Sequence, residues 1–331
     1  RGFVADFSHV QLDIPQEFRN IRSSERKHMN IGIIGAGKMG SGITRRLIRS
    51  GHRVVIYDID PNASELLVQQ GALKALDTHN LAELLPPPRL IWLMLPAGNS
   101  IESTLENLIP VCRKGDIFID GSNSHYEDSL RRSLMLKPNG YAFLDVGVSG
   151  GTWGDEFGFC LMIGGDKQIF RKVEPVFRDL APKSEPGYAY VGDSGSGHFV
   201  KMIHNAIEYG LMQSYAEGID LLDAKRDEFD IDIGQIARLW TSGSVIRSWL
   251  LELIASILVK DSKLVSFKPL VEDSGLGRWA VLEAVNMGIP APSVTSALHA
   301  RFSSQRSNPL SARLLSALRQ EFGGHPAERN Y

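Results

Sequence analysis

The sequence predicts a doubly wound α/β sheet domain followed by an all-α helical domain. Short apolar runs alternate with helical stretches from Ile31 to about residue 192, which is typical of βαβ units and a mostly parallel sheet. Strand-like runs end beyond Gly197, and 331 residues are enough for two domains. The predicted divisions are an N-terminal extension of unknown role at 1–28, the sheet domain at 29–195 and the helical domain at 196–331.

Each predicted strand is a short apolar run bounded by glycine or charged residues. A helix is expected over 38–50, directly after the first strand. The predicted strands are 31–35, 53–58, 89–95, 116–121, 141–148, 158–165 and 187–192.

The second half begins with one long predicted helix over 198–225, where apolar residues recur at helical period without proline. The apolar run from Trp249 to Val259 is shorter than the ~18 residues of a membrane span, so we expect a buried helix there. The shorter predicted helices are 231–240, 245–260, 277–287, 292–304 and 310–321.

The composition argues against several classes of partner. With 43% hydrophobic residues, 22% charged residues and a net charge of −2, nothing favours nucleic acid or an acidic membrane. Cys112 and Cys160 form neither a CxxC pair nor a metal-ligand cluster, so we expect buried, reduced thiols, no metal and a cytoplasmic location. Residues 1–28 lack a continuous apolar segment and carry acids such as Asp6, which argues against a targeting signal.

A glycine-rich loop, GIIGAGKMGSG at 32–42, follows the first predicted strand and opens the first helix. Gly35 permits the tight turn, Gly37 lets the backbone approach a pyrophosphate, and Gly40 allows close packing of helix against strand. The helix N-terminus offers free N–H groups to phosphate oxygens. A glycine turn without a ligand is the alternative, but the strand–turn–helix context favours a Rossmann-type dinucleotide-binding domain.

Asp58 ends the second predicted strand, 18 residues after Gly40. A carboxylate there accepts hydrogen bonds from the adenosine ribose hydroxyls and repels a 2′-phosphate, which favours NAD over NADP. A solvated turn aspartate is the alternative, since Arg45 and Arg46 could reach round the loop. The predicted cofactor contacts are Gly35, Gly37, Lys38, Met39, Gly40, Asp58, Leu95, Pro96, Ala97 and Asn123.

One face of the predicted long helix carries an amine, an imidazole, an amide and a carboxylate at i, i+3, i+4 and i+7: Lys201, His204, Asn205 and Glu208. From the spacing alone, a cleft lining and a solvated face are equally supported. Two loops add to the case for a cleft. The backbone of Ser149, Gly150 and Gly151 could hold a carboxylate. Asn123 follows an earlier strand at the same sheet edge, where it could also cap a helix.

These motifs resemble the 6-phosphogluconate dehydrogenase family. The resemblance rests on VSGG, on GHFVKMIHNAIEYG (197–210) and on GLGRWAVLEAVNMGIPAPSVTSALHARFSSQ (275–305), and it covers 29–331. The KMxHNxxEY pattern is specific, because the broader β-hydroxyacid dehydrogenase superfamily shares only the glycine loop, the SGG loop and the lysine. The sequence is most similar to the shorter, bacterial-type members.

The resemblance implies oxidative decarboxylation of 6-phosphogluconate to ribulose 5-phosphate and CO2 with reduction of NAD, in the pentose phosphate pathway. Lys201 matches the family's general base, which needs a lowered pKa, and Glu208 matches the acid that protonates the enediol. A homodimer or homotetramer is also implied. The residues that match substrate contacts are Asn123, Ser149, Gly150, Gly151, His204, Asn205 and, on the phosphate side, Tyr209, Arg278 and Arg301.

Two departures from the larger family members concern the phosphate side. Those members usually carry lysine where Arg278 stands, and a C-terminal tail from the neighbouring subunit completes their site with an arginine and a histidine. His325 is the candidate for that histidine in this sequence. The alternatives are a non-decarboxylating β-hydroxyacid dehydrogenase, the same chemistry on an unphosphorylated sugar acid, and a nucleotide-sensing protein with a degenerate site.

Overall fold

The computed structural model describes residues 28–183 and 187–323, so the predicted extension up to residue 27 and the candidate His325 lie outside the described residues. The chain divides into two compact units, with the boundary between Lys201 and Met202. The first unit is a sheet covered by helices and the second is helical, which confirms the predicted fold class.

The first unit contains an eight-stranded sheet in the order β3-β2-β1-β4-β5-β6-β7-β8. Neighbouring strands are parallel except β6 and β7, which are antiparallel. The strands are β1 (Asn30–Ile34), β2 (Arg53–Tyr57), β3 (Leu73–Lys74), β4 (Leu90–Leu93), β5 (Ile117–Asp120), β6 (Ala142–Ser149), β7 (Cys160–Gly165) and β8 (Tyr188–Gly192).

Helices connect the strands, and side-chain caps set the first turns of some of them. The carboxylates of Asp77 and Asp166, for example, accept backbone N–H groups of the helices that follow them. The helices of this unit are α1 (Lys38–Arg49), α2 (Glu65–Gln69), α3 (Thr78–Glu83), α4 (Asn99–Leu108), α5 (Tyr126–Leu136), α6 (Gly154–Phe157) and α7 (Lys167–Leu180).

Successive strand residues point to opposite faces of the sheet, and helices cover both faces. On β1, Ile31 and Ile33 join one apolar cluster with residues of α1 and α7, whereas Ile34 joins a second cluster with residues of α3 and α4. β1, β4, β5 and β6 run parallel to one another, so their carboxyl ends meet at one edge. The loops that carry the predicted cofactor and substrate contacts leave the sheet at that edge.

The long helix α8 (Ser196–Asp223) begins in the first unit and continues into the second. In the second unit, α10 and α11 pack together around Ile233, Ala237, Leu251 and Leu258. The remaining bounds are α9 (Arg226–Phe229), α10 (Ile233–Trp240), α11 (Trp249–Lys260), α12 (Leu276–Asn286), α13 (Pro292–Ser304) and α14 (Leu310–Gly323).

The buried helix expected at Trp249–Val259 is present, but it is buried on one face only. α11 buries only the face with Leu251 and Leu258, and it leaves Trp249 47% and Val259 55% exposed. Among residues 28–183 and 187–323, no helix combines the length and the apolar character that a membrane span requires.

Candidate active site

The glycine-rich loop lies between β1 and α1, and its glycines have different roles. A Cβ on Gly35, where φ is +104°, would lie 2.3 Å from the carbonyl oxygen of Met94. A Cβ on Gly40 would lie 2.0 Å from the carbonyl oxygen of Gly35. Neither position tolerates a side chain. Beside Gly37, by contrast, nothing lies within 4 Å of the Cβ position, so the backbone is open to a ligand.

The N-terminus of α1 is bare. Lys38 and Met39 are its first residues, its N-cap Gly37 has no side chain to cap it, and its first turn carries no acid. The orphan N–H groups and the positive end of the helix dipole are therefore available to a phosphate. Together with the open Cα of Gly37, this arrangement fits a dinucleotide pyrophosphate.

Asp58 follows β2 and is bound to the glycine loop. Its Oδ2 accepts a hydrogen bond from the backbone N–H of Ala36 at 2.6 Å, and its Oδ1 accepts one from Asp60 at 2.9 Å. Lys74 on β3 donates to the carbonyl oxygen of Pro61 at 3.0 Å. No local sequence pattern indicates this cation, because β3 is adjacent to β2 only in the folded sheet.

The loop after β4 carries Leu95, Pro96 and Ala97, and it leads into α4 at the same sheet edge. Pro96 and Ala97 are exposed, and Leu95 is half-buried. These positions are near the carboxyl ends of the central strands, where ligands of doubly wound sheets bind.

Asn123 is exposed in the loop between β5 and α5, and the neighbouring residues of that loop are fixed by hydrogen bonds among buried polar groups. The hydroxyls of Ser122 and Ser124 are 2.6 Å apart, and Arg132 donates to Ser124 at 2.7 Å. Arg132 also pairs with Asp120 at 2.7 Å, and both side chains are fully buried. This network fixes the backbone on either side of Asn123. Sequence reasoning missed it, although an aspartate ending an apolar strand is a usable signal.

The substrate-side loop begins where β6 ends, at Ser149. Gly150 has φ of +127° and Gly151 has φ of +54°, conformations that favour glycine, and a 3₁₀ turn over Gly151–Trp153 follows. Ser149 pairs across the sheet with Cys160 of β7. Cys160 is exposed, which corrects the expectation that both thiols are buried; Cys112 is buried.

Lys201 lies on α8 with only 6% of its surface exposed. The buried carboxylate of Asp145 accepts the backbone N–H groups of Gly195 at 2.7 Å and His198 at 3.0 Å, so it fixes the start of the helix. A Cβ on Gly147 would lie 2.4 Å from the Cβ of Lys201. Asp145 and Gly147, which sequence reasoning missed, therefore set the position of the lysine.

In the second unit, α8 carries the other three polar residues of the predicted stripe. His204 Nδ1 lies 3.9 Å from Glu208 Oε2, and both side chains are partly exposed. Asn205 is 6% exposed, and its Nδ2 has no hydrogen-bond partner among the described residues. A buried amide without a partner is uncommon, and it marks a position where a ligand can supply the acceptor.

Each of the predicted phosphate-side residues contacts one residue of the segment 272–274 in the second unit. Tyr209 lies 3.0 Å from the hydroxyl of Ser274, and Arg301 donates to the carbonyl oxygen of Glu272 at 3.0 Å. The guanidinium of Arg301 also lies over the ring of Tyr209, at 3.5 Å from its centroid. The structure thus brings these two predicted residues together.

Arg278 is also in this cluster, where its Nε donates to the carboxylate of Asp273. Burial raises the pKa of Asp273, but the hydrogen bond and the charge of Arg278 lower it by more, so the net pKa is below the usual range. Asp273 is therefore ionised at neutral pH. It partly neutralises the arginine to which the family resemblance gives a phosphate-side role.

Among the described residues, no group of three or more histidine, cysteine, aspartate or glutamate side chains is placed to hold a metal ion. A doubly wound sheet whose glycine loop leads into a helix without a side-chain cap is typical of a dinucleotide-binding domain of the Rossmann type. Two family models match the chain: the NAD binding domain of 6-phosphogluconate dehydrogenase at 30–192 and the 6-phosphogluconate dehydrogenase C-terminal domain at 197–308. The chain belongs to the 6-phosphogluconate dehydrogenase family.

Relatives of two lengths support this membership. A Haloferax volcanii protein named NAD(+)-dependent, decarboxylating 6-phosphogluconate dehydrogenase is 40% identical over 302 residues, which cover 91% of this chain and 99% of the relative. A Bacillus subtilis protein of the same name is 35% identical over 289 residues, which cover 82% of this chain and 61% of that protein.

A solved structure is also similar. Plasmodium falciparum 6-phosphogluconate dehydrogenase, determined in its apo form, with its cofactor NADP+ and with its substrate 6-phosphogluconate, superposes with a TM-score of 0.76 at 28% identity. The match covers 91% of this chain and 67% of that chain.

Proposed function

We propose that the protein catalyses the oxidative decarboxylation of 6-phosphogluconate to ribulose 5-phosphate and CO2 with reduction of NAD. The observation that carries the proposal is the polar stripe of α8, where Lys201 and Asn205, both 6% exposed, lie one helical turn apart. The Nδ2 of Asn205 has no hydrogen-bond partner among the described residues, and such a buried amide is costly unless a ligand uses it. Family membership supplies the chemical class of that ligand.

In this proposal, Lys201 takes the proton of the substrate 3-hydroxyl while C3 becomes a carbonyl carbon. A bound nicotinamide ring supplies the acceptor for the hydride that leaves C3. The resulting β-keto acid loses CO2, and Lys201 returns its proton to the oxygen on C3 as the enediol forms. Glu208 then protonates the carbon that lost CO2 while Lys201 takes the proton back from the oxygen on C3, which gives the ketose product.

The remaining residues would position the substrate. The backbone N–H groups of the loop Ser149–Gly151 would hold the carboxylate. The hydroxyl groups would be bound by Asn123, His204 and Asn205, and the phosphate by Tyr209, Arg278 and Arg301.

A second candidate is the same reaction on an unphosphorylated sugar acid, and one observation favours it. The carboxylate of Asp273 already pairs with Arg278, and it would repel a phosphate dianion at that position. The non-decarboxylating alternative has no comparable support, because it leaves Glu208 without a role.

NAD is the proposed cofactor rather than NADP. Asp58 would accept the ribose hydroxyls and repel a 2′-phosphate, and the following residue, Ile59, is 90% exposed and carries no charge. The Haloferax relative is named as NAD(+)-dependent, whereas the Plasmodium relative was solved with NADP+.

We also propose a cytoplasmic homodimer or homotetramer. The second unit exposes large apolar side chains, including Leu221 at 74%, Val245 at 99% and Val265 at 83%. A second copy of the chain would cover such a surface.

The test supplies 6-phosphogluconate or gluconate with NAD or NADP in parallel, and it follows reduced nicotinamide and released CO2 together. We expect both products with 6-phosphogluconate and NAD, and neither with Lys201→Met. Reduced nicotinamide without CO2 would refute decarboxylation, and faster turnover of gluconate would favour the second candidate. Near-normal turnover by Lys201→Met would overturn the assignment of the base.

A further inference from the structure

Arginines of the cofactor helix α1 hold the segment that follows the substrate-side loop. Arg45 Nε donates to Asp155 Oδ2 at 2.5 Å, and Arg49 donates to Asp155 Oδ1 at 2.6 Å. Asp155 lies on α6, four residues after Gly151. One carboxylate thus ties the C-terminal half of α1 to the end of the loop that begins at Ser149.

Backbone contacts and packing reinforce this tie. Arg46 donates to the carbonyl oxygens of Asp155 and Glu156, both at 3.3 Å, and Arg49 donates to the carbonyl oxygen of Asp155 at 2.5 Å. On α1, a Cβ at Gly42 would lie 3.2 Å from the ring of Phe159 and 3.4 Å from the Cβ of Asp155. The two segments are therefore in direct contact, with glycine at the point of closest approach.

We propose that Asp155 is a positioning residue, which holds the loop Ser149–Gly151 against the cofactor helix in the shape that binds the substrate carboxylate. This inference rests on the proposed function, because it assigns that loop to the substrate. The loop is anchored by β6 at one end and by Asp155 at the other. Between them, Gly150 and Gly151 have positive φ angles and carry no side chains that could fix the backbone.

The charge of Asp155 is maintained by its surroundings. Burial raises the pKa of the carboxyl, but the hydrogen bonds from Arg45 and Arg49 lower it by more, so the net pKa is below the usual range. The side chain is 22% exposed, against 27% for Arg45 and 55% for Arg49. A partly buried carboxylate that accepts hydrogen bonds from two arginines constrains the local geometry more than an exposed ion pair does.

The test compares Asp155→Asn, which keeps the size and removes the charge, with Glu156→Gln on the adjacent residue. Glu156 is exposed, and the structure gives it only backbone contacts with α1. We expect Asp155→Asn to raise KM for 6-phosphogluconate roughly tenfold, the effect of one charge-assisted hydrogen bond, with KM for NAD and kcat changed less than about twofold. Glu156→Gln should leave all three constants unchanged, and Asp155→Glu should recover part of the lost affinity.

An unchanged KM for 6-phosphogluconate in Asp155→Asn would overturn the proposal. So would an equal rise in both KM values with a lower melting temperature, since that pattern indicates a role in stability alone. If the wild-type protein does not oxidise 6-phosphogluconate, the proposed function fails, and amide hydrogen exchange decides the inference separately. Faster exchange over 150–158 in Asp155→Asn, but not in Glu156→Gln, supports the positioning role; identical exchange overturns it.

Discussion

Replacing Gly147 with alanine should remove most of the turnover and leave dinucleotide binding in place. The added Cβ would lie 2.4 Å from the Cβ of Lys201 and 2.8 Å from the carbonyl oxygen of Gly197. Ordinary van der Waals contact begins at 3.4 Å, so β6 and the first turns of α8 must separate by about 1 Å. The atoms nearest to the Cβ positions of Gly35 and Gly40 belong to Met94, Leu95 and Gly35, so the glycine loop makes none of these contacts and keeps its own geometry.

The magnitude follows from that displacement. Moving a catalytic group by about 1 Å costs on the order of 100-fold in rate, or about 2.7 kcal/mol of transition-state stabilisation. Overpacking of the buried strand should also lower the free energy of unfolding by about 1–3 kcal/mol. The loss of kcat should therefore exceed what partial unfolding of the sample explains.

The assay measures kcat, the dissociation constant for NAD and urea unfolding on the same preparation. Gly218→Ala is the matched control, because Gly218 lies on the same helix with nothing within 4 Å of its Cβ position. It should keep its rate, and it should gain roughly 0.5–1 kcal/mol of stability from the better helix former. A Gly147→Ala enzyme with normal kcat would refute the idea that β6 and α8 position Lys201 by direct contact.

Two further predictions concern buried groups of the first unit. Arg132→Met should lower the free energy of urea unfolding by about 3–5 kcal/mol, because it leaves the buried carboxylate of Asp120 without its cationic partner. Arg131→Met, with its side chain 53% exposed, should cost less than about 1 kcal/mol, and equal losses would count against the network. A thiol reagent should label Cys160 in the native protein but label Cys112 only after denaturation, since burial raises the pKa of Cys112 to about 12. Equally rapid labelling of both thiols would contradict this placement.

Most elements of the fold were predictable, because apolar runs bounded by glycine or charge mark both strands and helices. The strand at 53–58, for example, is observed at Arg53–Tyr57, and the long helix predicted over 198–225 is observed at Ser196–Asp223. The strand β3 was missed because its two residues, Leu73 and Lys74, are exposed at the sheet edge and have no apolar pattern. The half-exposed α11 was misjudged because a continuous apolar run does not show which face is buried.

Spacing picks out a polar stripe on the long helix, and the family resemblance assigns the candidate site residues, but neither indicates the residues that hold them. Lys201 and Asn205 stand out because polar residues at helical spacing interrupt an apolar helix. Asp145 accepts a hydrogen bond from Gly195, which lies 50 positions further along the chain, and a local sequence pattern does not indicate so distant a pairing. Asp155 and the arginines of α1 that bind it are also more than 100 positions apart, so a local sequence pattern does not indicate their contact.

The hydrogen bond between Asp58 and Ala36 bears on how the nucleotide preference of this protein can change. The carboxylate that would exclude a 2′-phosphate is also a structural brace of the glycine loop. Exchanging Asp58 for a smaller or basic residue, the direct route to an NADP enzyme, would therefore loosen the loop that both nucleotides share. A switch of coenzyme, by evolution or by design, has an easier starting point at the exposed Ile59, where a cation can be added without removing the brace.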